Sequence, residues 1–293
     1  MFEGYQVLRD APMRDYTTLK LGGPADYMAL PASGEETAAL LAEARSLGMP
    51  VTILGHGSNV LVLDGGIRGL VIRMGRGMNR AEVDGNRITA RAGTMMGTVA
   101  ALAAEHGLTG LEFASGIPGT VGGGVLMNAG AYDGEMSQVV RQVTGVTPGG
   151  EILTMEGEEL AFGYRRSALQ ENGMVVTGVT FELSQGNPEA IREKMADLNS
   201  RRAASQPLDV PSAGSAFKRP QGAYAAALID QCGLKGYAVG GARVSPKHAG
   251  FLVNTGDSAK DYLELMRTVQ RIVEERTGIH LEPEIRIMGE AEA

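Results

Sequence analysis

Residues 114–132 read ASGIPGTVGGGVLMNAGAY and hold six glycines, Gly116, Gly119, Gly122, Gly123, Gly124 and Gly130. Glycine at that density lets backbone approach a ligand, or another backbone, with no Cβ in between. Ile117, Val121, Val125, Leu126 and Met127 are interleaved with the glycines, so the stretch can be buried, unlike a low-complexity linker. It reads as a packed, irregular wall against a flat or anionic ligand.

Upstream of the wall, residues 26–74 open an α/β unit. Residues 26–30 suit a strand, and Ser33 with Glu36 three positions on has capping-box spacing for a helix. Leu40, Leu41, Ala44 and Leu47 fall on one face of that helix, and Gly48 closes it. A second strand at 51–54 follows, and strand–helix–strand calls for a right-handed parallel crossover. GHGSN at 55–59 comes next, then an apolar run at 60–63. A glycine-flanked turn at a strand end can gather backbone N–H groups into a nest for phosphate oxygens, with Ser58 and Asn59 as added donors; the same five residues also suit a hairpin turn. The stretch is neither G-x-G-x-x-G nor a GK[ST] loop.

Strands are expected at 69–74, 87–92 and 174–183, and a helix at 95–105 is closed by Gly107. Segments 139–147 and 151–155 flank Pro148-Gly149-Gly150 as a hairpin, and Asn187-Pro188 opens a helix running to about Ala204. The two prolines of 206–211 mark a domain boundary. Beyond it come a loop at 214–220, a helix at 223–232, a strand at 248–253, a long helix from the Ser258 and Asp261 cap to Thr277, and a strand at 279–288.

Composition bounds the function. At 293 residues the chain suggests two or three domains, and 21% charged with 43% hydrophobic residues is ordinary for a soluble protein. A net charge of −7 gives no nucleic-acid footprint, and an anionic substrate would need local Lys and Arg. The single cysteine, Cys232, forbids an intrachain disulfide and reads as a core thiol; with only four histidines, no Cys/His metal cluster is expected. The sequence holds no apolar run of about 18 residues and the N-terminus lacks a signal peptide's apolar core, so the expected location is the cytoplasm and no membrane partner is expected.

Seven segments, in order, carry a resemblance: TTLKLGGPADYMALP at 17–31, ILGHGSNVLVLDGGIRGLVI at 53–72, GLTGLEFASGIPGTVGGGVLMNAGAY at 107–132, YRRS at 164–167, GSAFKRP at 214–220, KHAGFLVN at 247–254 and GIHLEPEIRIMG at 278–289. Together they resemble the UDP-N-acetylenolpyruvoylglucosamine reductase (MurB) family, flavoenzymes of peptidoglycan precursor synthesis. The short span between YRRS and GSAFKRP resembles the family's second type. The resemblance implies an α+β chain: two FAD-binding subdomains of the vanillyl-alcohol-oxidase-like flavin fold, at 1–73 and 74–205, and a C-terminal α+β substrate-binding domain at 206–293. It implies non-covalent FAD, NADPH as electron donor and UDP-N-acetylglucosamine enolpyruvate as substrate; the oligomeric state stays open.

The same resemblance assigns residues. Gly55, His56, Gly57, Ser58 and Asn59 would hold the FAD pyrophosphate, with the His56 side chain on the solvent side and not a flavin attachment point. Gly116, Ile117, Pro118, Gly119, Thr120, Gly122, Gly123, Asn128, Ala129 and Gly130 would line the flavin; Gly124 stands where the family often has alanine. Ser215 matches the family's proton donor, Arg165 the arginine that faces the substrate carboxylate, and Glu284 the conserved glutamate. Arg166 competes with Arg165, and Glu282 with Glu284. Tyr164, Lys218 and Asn254 would contact the UDP-sugar, and Lys247 and His248 lie in a matching motif.

The chemistry asks for such a set. Reducing an enolpyruvyl ether means hydride to the terminal carbon and a proton to the next one, and no side chain is a hydride donor. The rival readings are a flavin oxidase of the same fold acting on an alcohol or sugar, and a flavin-free binding module.

Overall fold

In the computed structural model, which describes residues 1–292, the chain forms two compact units. The first comprises Met1–Leu8, Tyr27–His56 and Gly69–Arg202; the second comprises Arg9–Asp26, Gly57–Arg68 and Ala203–Ala293. Each has its own apolar core, built in the first around Leu70, Ile72, Val143, Val179 and Phe181 and in the second around Leu61, Leu252, Tyr262 and Val269. No helix among the described residues is long and apolar enough to cross a membrane.

Helix α1 of the first unit, Gly34–Ser46, starts as its sequence dictates: the Ser33 side chain accepts from Glu36 N at 3.2 Å, satisfying one of the first-turn donors. Leu40 and Ala44 are buried, but Leu47 stands 47% exposed, because it is the cap residue where the turn toward Gly48 carries it off the apolar face. Strand Val51–Leu54 then runs parallel with Ile67–Arg73, which separates it from Pro24–Ala29 in the sheet order. The two strands that the expected crossover would join are therefore not neighbours in the sheet.

The larger sheet of this unit is antiparallel throughout, in the order Ile152–Glu156, Val140–Val146, Val175–Glu182, Arg87–Arg91, Ala81–Asp84. The hairpin about Pro148-Gly149-Gly150 is therefore present. Helix α2, Met96–Glu105, ends where Gly107 takes φ +67°, in the left-handed region that glycine adopts without strain. The glycine-rich wall is less irregular than expected, since Val121–Leu126 forms a short helix, α3, despite its three glycines. Tertiary bonds override the poor propensity: Val121 N donates to Thr94 O at 2.8 Å and Gly122 N to Ala92 O at 2.9 Å. Leu169–Asn172 forms the one-turn α4, and α5, Pro188–Ser205, is capped by Asn187, whose Oδ1 accepts from Glu189 N at 2.8 Å.

The second unit holds an antiparallel sheet in the order Ser212–Ser215, Phe251–Asn254, Ala242–Val244, Ala238–Val239, with helices α6, Ala225–Gln231, and α7, Ala259–Thr277. Cys232 is buried in its core. The segment expected as a loop at 214–220 begins as the end of a sheet strand. The long strand expected at 279–288 is reduced to Arg286–Met288, parallel to Val60–Val62, because the segment changes partner: 282–284 bonds to residues 216 and 218, and from Arg286 on it bonds to 59–62. Pro283 makes only an isolated bridge with Phe217.

Candidate active site

In the first unit the wall is pinned edge to edge. Met96 N donates to Gly119 O at 2.9 Å and Ala129 N to Gly124 O at 2.8 Å. Glycine is required by contact at several positions: a Cβ at Gly122 would stand 2.9 Å from Ala92 Cβ, and one at Gly130 would stand 2.7 Å from Gly134 O. At Gly124 a Cβ would fall 2.6 Å from Met96 Sδ, so the departure from alanine there is matched by a bulky neighbour, not by looseness. Gly116 faces Asn199 and Arg202 of α5, with a Cβ position 2.8 Å from Arg202 Nε. Ile117 is half-buried against the core and Pro118 is exposed.

Thr120 sits at the turn into α3 with its hydroxyl buried and without a hydrogen-bond partner among the described residues. A Cβ at Gly55 would lie 2.4 Å from that Oγ1, and at Gly123, which is exposed, the nearest atom to a built Cβ is the same Oγ1 at 3.6 Å. Gly55 and Gly123 thus bring side-chain-free backbone to either side of the Thr120 hydroxyl, and at Gly55 the contact leaves no room for a Cβ. His56 follows Gly55 and is half-buried.

The YRRS segment forms a tight turn. Gly163 and Arg166 exchange N–H···O bonds of 3.0 and 3.1 Å, and Arg165 at the turn has φ +55°. The left-handed backbone is uncommon for arginine. The Arg165 guanidinium lies 5.1 Å from the centroid of the exposed Tyr164 ring. Arg166 is bound to Glu171 at 2.5 Å, both well exposed. The turn is tied to the wall by Ser167 Oγ and Gln170 Nε2, each donating to Leu126 O at 2.8 Å, and by Asn128 Nδ2 donating to Gly163 O at 3.0 Å.

In the second unit three segments lie side by side. Ser215 pairs with Phe251; Ala216 N donates to Gly250 O at 2.8 Å, and Glu284 N donates to Ala216 O at 2.9 Å. The exposed Ser215 and the half-buried Glu284 are thereby brought onto neighbouring backbones. Lys218 N bonds Glu282 O at 2.8 Å, and their side chains form an ion pair. Gly57, at φ +73°, packs its backbone where a Cβ would meet Tyr16 O at 2.3 Å, and its carbonyl accepts from Thr18 N at 3.1 Å. Ser58 is half-buried.

Sequence comparison now bears on these residues. The FAD binding domain family matches residues 25–156, and the family described as UDP-N-acetylenolpyruvoylglucosamine reductase, C-terminal domain, matches residues 206–288. The UDP-N-acetylenolpyruvoylglucosamine reductase of Levilactobacillus brevis is 50% identical over 290 residues, covering 99% of this chain and 95% of that protein. This chain belongs to the UDP-N-acetylenolpyruvoylglucosamine reductase family. The reductase of Caldanaerobacter subterraneus is 48% identical over 289 residues, 98% of this chain and 95% of its own. The crystal structure of the reductase MurB from Thermus caldophilus superposes with a TM-score of 0.83 at 39% identity, covering 97% of this chain and 99% of that one. The fold is accordingly the α+β fold of a reductase of this family.

Within such a reductase the surroundings of the Thr120 hydroxyl suit FAD. A buried hydroxyl without a hydrogen-bond partner among the described residues, beside Gly55 where a Cβ would intrude, fits a diphosphate oxygen that accepts a hydrogen bond from it and needs close backbone approach. Besides Lys218, whose ammonium is paired with Glu282, three expected ligand-binding side chains have protein partners. Asn128 is 1% exposed and divides its amide between Gly163 O and Ser137 N, so it braces the turn that carries Arg165. Asn59 directs Nδ2 to Glu284 O at 3.2 Å and its carbonyl to Arg286 N, which fixes the segment carrying the glutamate. Asn254, expected at the UDP-sugar, is 4% exposed, with its Nδ2 donating to Leu19 O at 2.9 Å and its Oδ1 accepting from Gly256 N at 2.9 Å, bonds that anchor its strand. Gln170, which holds the Arg165 carbonyl at 3.1 Å, has no motif that marks it in the sequence.

Proposed function

We propose that this chain reduces UDP-N-acetylglucosamine enolpyruvate to UDP-N-acetylmuramate with NADPH and non-covalent FAD, a cytoplasmic step of peptidoglycan precursor synthesis. Membership of the reductase family along nearly the whole chain supports the reaction. We read residues 1–73 and 74–205 as the two FAD-binding subdomains and 206–293 as the substrate-binding domain. FAD, when bound, supplies hydride transfer from NADPH to the enolpyruvyl terminal carbon.

The residues of the chain supply placement, charge and the proton. Arg165, held at its turn by Asn128, Ser167 and Gln170, meets the substrate carboxylate, where negative charge grows as the double bond is reduced. A preorganised donor at such a position is worth roughly 3–4 kcal/mol of barrier. Ser215 Oγ gives its proton to the carbon bearing that charge. A hydroxyl is a weak acid, so it serves only against a strongly basic carbon and with a proton source at hand; Glu284 fills that role. Gly55, Thr120 and Gly123 cradle the cofactor diphosphate, and Tyr164 and Lys218 contact the UDP-sugar.

The observation that carries this reading is Ala216, bonded by its carbonyl to Glu284 N, which sets the expected proton donor and the expected glutamate on adjacent backbones. Ser215→Ala tests it in rapid-mixing experiments that follow flavin absorbance. NADPH should still bleach the flavin at about the wild-type rate, while recovery on adding the enolpyruvate should slow by about 100-fold or more. Recovery at the wild-type rate would rule Ser215 out as the acid.

A further inference from the structure

We propose that His248 is a positioning residue for the proton-transfer step: its unprotonated Nδ1 holds the N–H of Gly250, and through Gly250, whose carbonyl accepts Ala216 N, the Ser215–Ala216 backbone beside Glu284. This rests on the roles given above to Ser215 and Glu284. The turn at 245–251 is closed by its own bonds. The buried Ser245 Oγ accepts from Lys247 N and His248 N at 3.2 and 3.3 Å, Ser245 N donates to Phe251 O at 2.9 Å, and Phe251 N donates to His248 O at 3.0 Å.

Inside that turn His248 Nδ1 accepts from Gly250 N at 3.1 Å. The carbonyl of the same Gly250 accepts Ala216 N at 2.8 Å, and Ala216 O accepts Glu284 N at 2.9 Å. A single line of hydrogen bonds thus runs from the imidazole to the glutamate backbone, with Ala216 in the middle. The ring is also held sideways. It stands edge-on to Phe251, centroids 4.9 Å apart at 71°, and Phe251 is the register partner of Ser215. A Cβ at Gly250 would be 3.1 Å from His248 Cε1 and 3.2 Å from Ala226 Cβ, so glycine keeps the amide within reach of the ring.

The acceptor exists only in the neutral ring, because a protonated Nδ1 would face the Gly250 N–H donor to donor. Burial pushes the imidazole below its ordinary value and outweighs a backbone hydrogen bond at His248 that acts the other way; the charge of Lys235 adds to the lowering. Of the neighbouring charges, Lys235 is paired with Asp230 at 2.6 Å and Lys247 Nζ bonds Ala203 O at 2.6 Å; Ala226 of α6 and Phe251 bring none. The arrangement is therefore intact at neutral pH and lost as pH falls through the depressed imidazole value.

The test follows re-oxidation of the NADPH-reduced holoenzyme by UDP-N-acetylglucosamine enolpyruvate between roughly pH 5 and 8, across the range of imidazole titration. His248→Asn offers Oδ1 in place of Nδ1 and does not titrate; it should keep most of the rate at neutral pH and lose the acid limb that the wild type shows below the ordinary imidazole value. His248→Ala should lower kcat about tenfold with little change in KM, the scale expected for one lost hydrogen bond that holds geometry. Independently of activity, the amide NMR signals of Gly250 and Ala216 should move with pH in the wild type and stay fixed in His248→Asn. The proposal is overturned if His248→Asn keeps the wild-type acid limb, if His248→Ala turns over at the wild-type rate, or if the Gly250 amide ignores pH. Should His248→Ala not fold, His248→Asn decides alone. A wild-type enzyme that the enolpyruvate does not re-oxidise at any pH would defeat the reductase reading itself, while the amide titration still judges the hydrogen bond.

Discussion

Thr120 carries a buried hydroxyl without a hydrogen-bond partner among the described residues, a cost of about 1–3 kcal/mol that the fold bears unless a ligand oxygen accepts a hydrogen bond from it. Thr120→Val removes the hydroxyl at nearly constant shape, so its effects on the two states have opposite signs. The FAD-free protein should melt no lower than the wild type, whereas FAD affinity, measured by flavin fluorescence on titration, should weaken by about 2- to 10-fold. An unchanged affinity would mean that the hydroxyl points at something other than the cofactor. The two arginines of YRRS separate on similar grounds. Arg166 is an exposed ion-pair partner of Glu171, worth little by itself, while Arg165 sits at a left-handed turn braced from three sides.

At the scale of elements, Glu112 shows how the segment leading into the wall is held. It is 3% exposed and accepts from Thr109 Oγ1 at 2.5 Å and Gly110 N at 3.1 Å, with Lys194 Nζ of α5 at 3.6 Å. Burial raises its carboxyl most, yet the Thr109 hydroxyl, the backbone amides and Lys194 together outweigh it and hold the group below the usual carboxylate value. A depressed carboxyl contributes stability above its unfolded-state value and loses it as pH falls through the folded one. Glu112→Gln should cost about 1–3 kcal/mol by urea unfolding at pH 7, and the gap to the wild type should close as pH drops below 4.5. A gap of constant size would assign the loss to packing alone.

Elements like these were legible in the sequence where their cause is local. Ser33, Ser258 and Asn187 cap the helices they were expected to start, and Ser258 Oγ accepts from Asp261 N at 3.3 Å. What escaped is decided at long range. The Asn254 amide is claimed by Leu19, 235 positions away, and α3 forms from poor helix residues because its first N–H groups are met by residues 92 and 94. The expected strand at 279–288 is likewise divided at long range, its first part bonded to residues 216 and 218 and its last part to 59–62, a change of partner that alternation along the sequence does not encode.

On the scale of the whole molecule, a chain with net charge −7 takes substrates that are themselves anionic, so cationic groups have to be placed locally where the substrates bind. Arg165 in the first unit and Lys218 in the second are such groups, and the account assigns both to the substrate. The core claim is that one chain accepts electrons from NADPH on FAD and passes them to an enolpyruvyl ether. An anaerobic absorbance titration of the purified holoprotein tests it most directly: NADPH is added until the flavin band is bleached, then UDP-N-acetylglucosamine enolpyruvate. The account predicts full bleaching followed by stoichiometric recovery of the oxidised band without oxygen; a bleached flavin that recovers only when oxygen is admitted would contradict it.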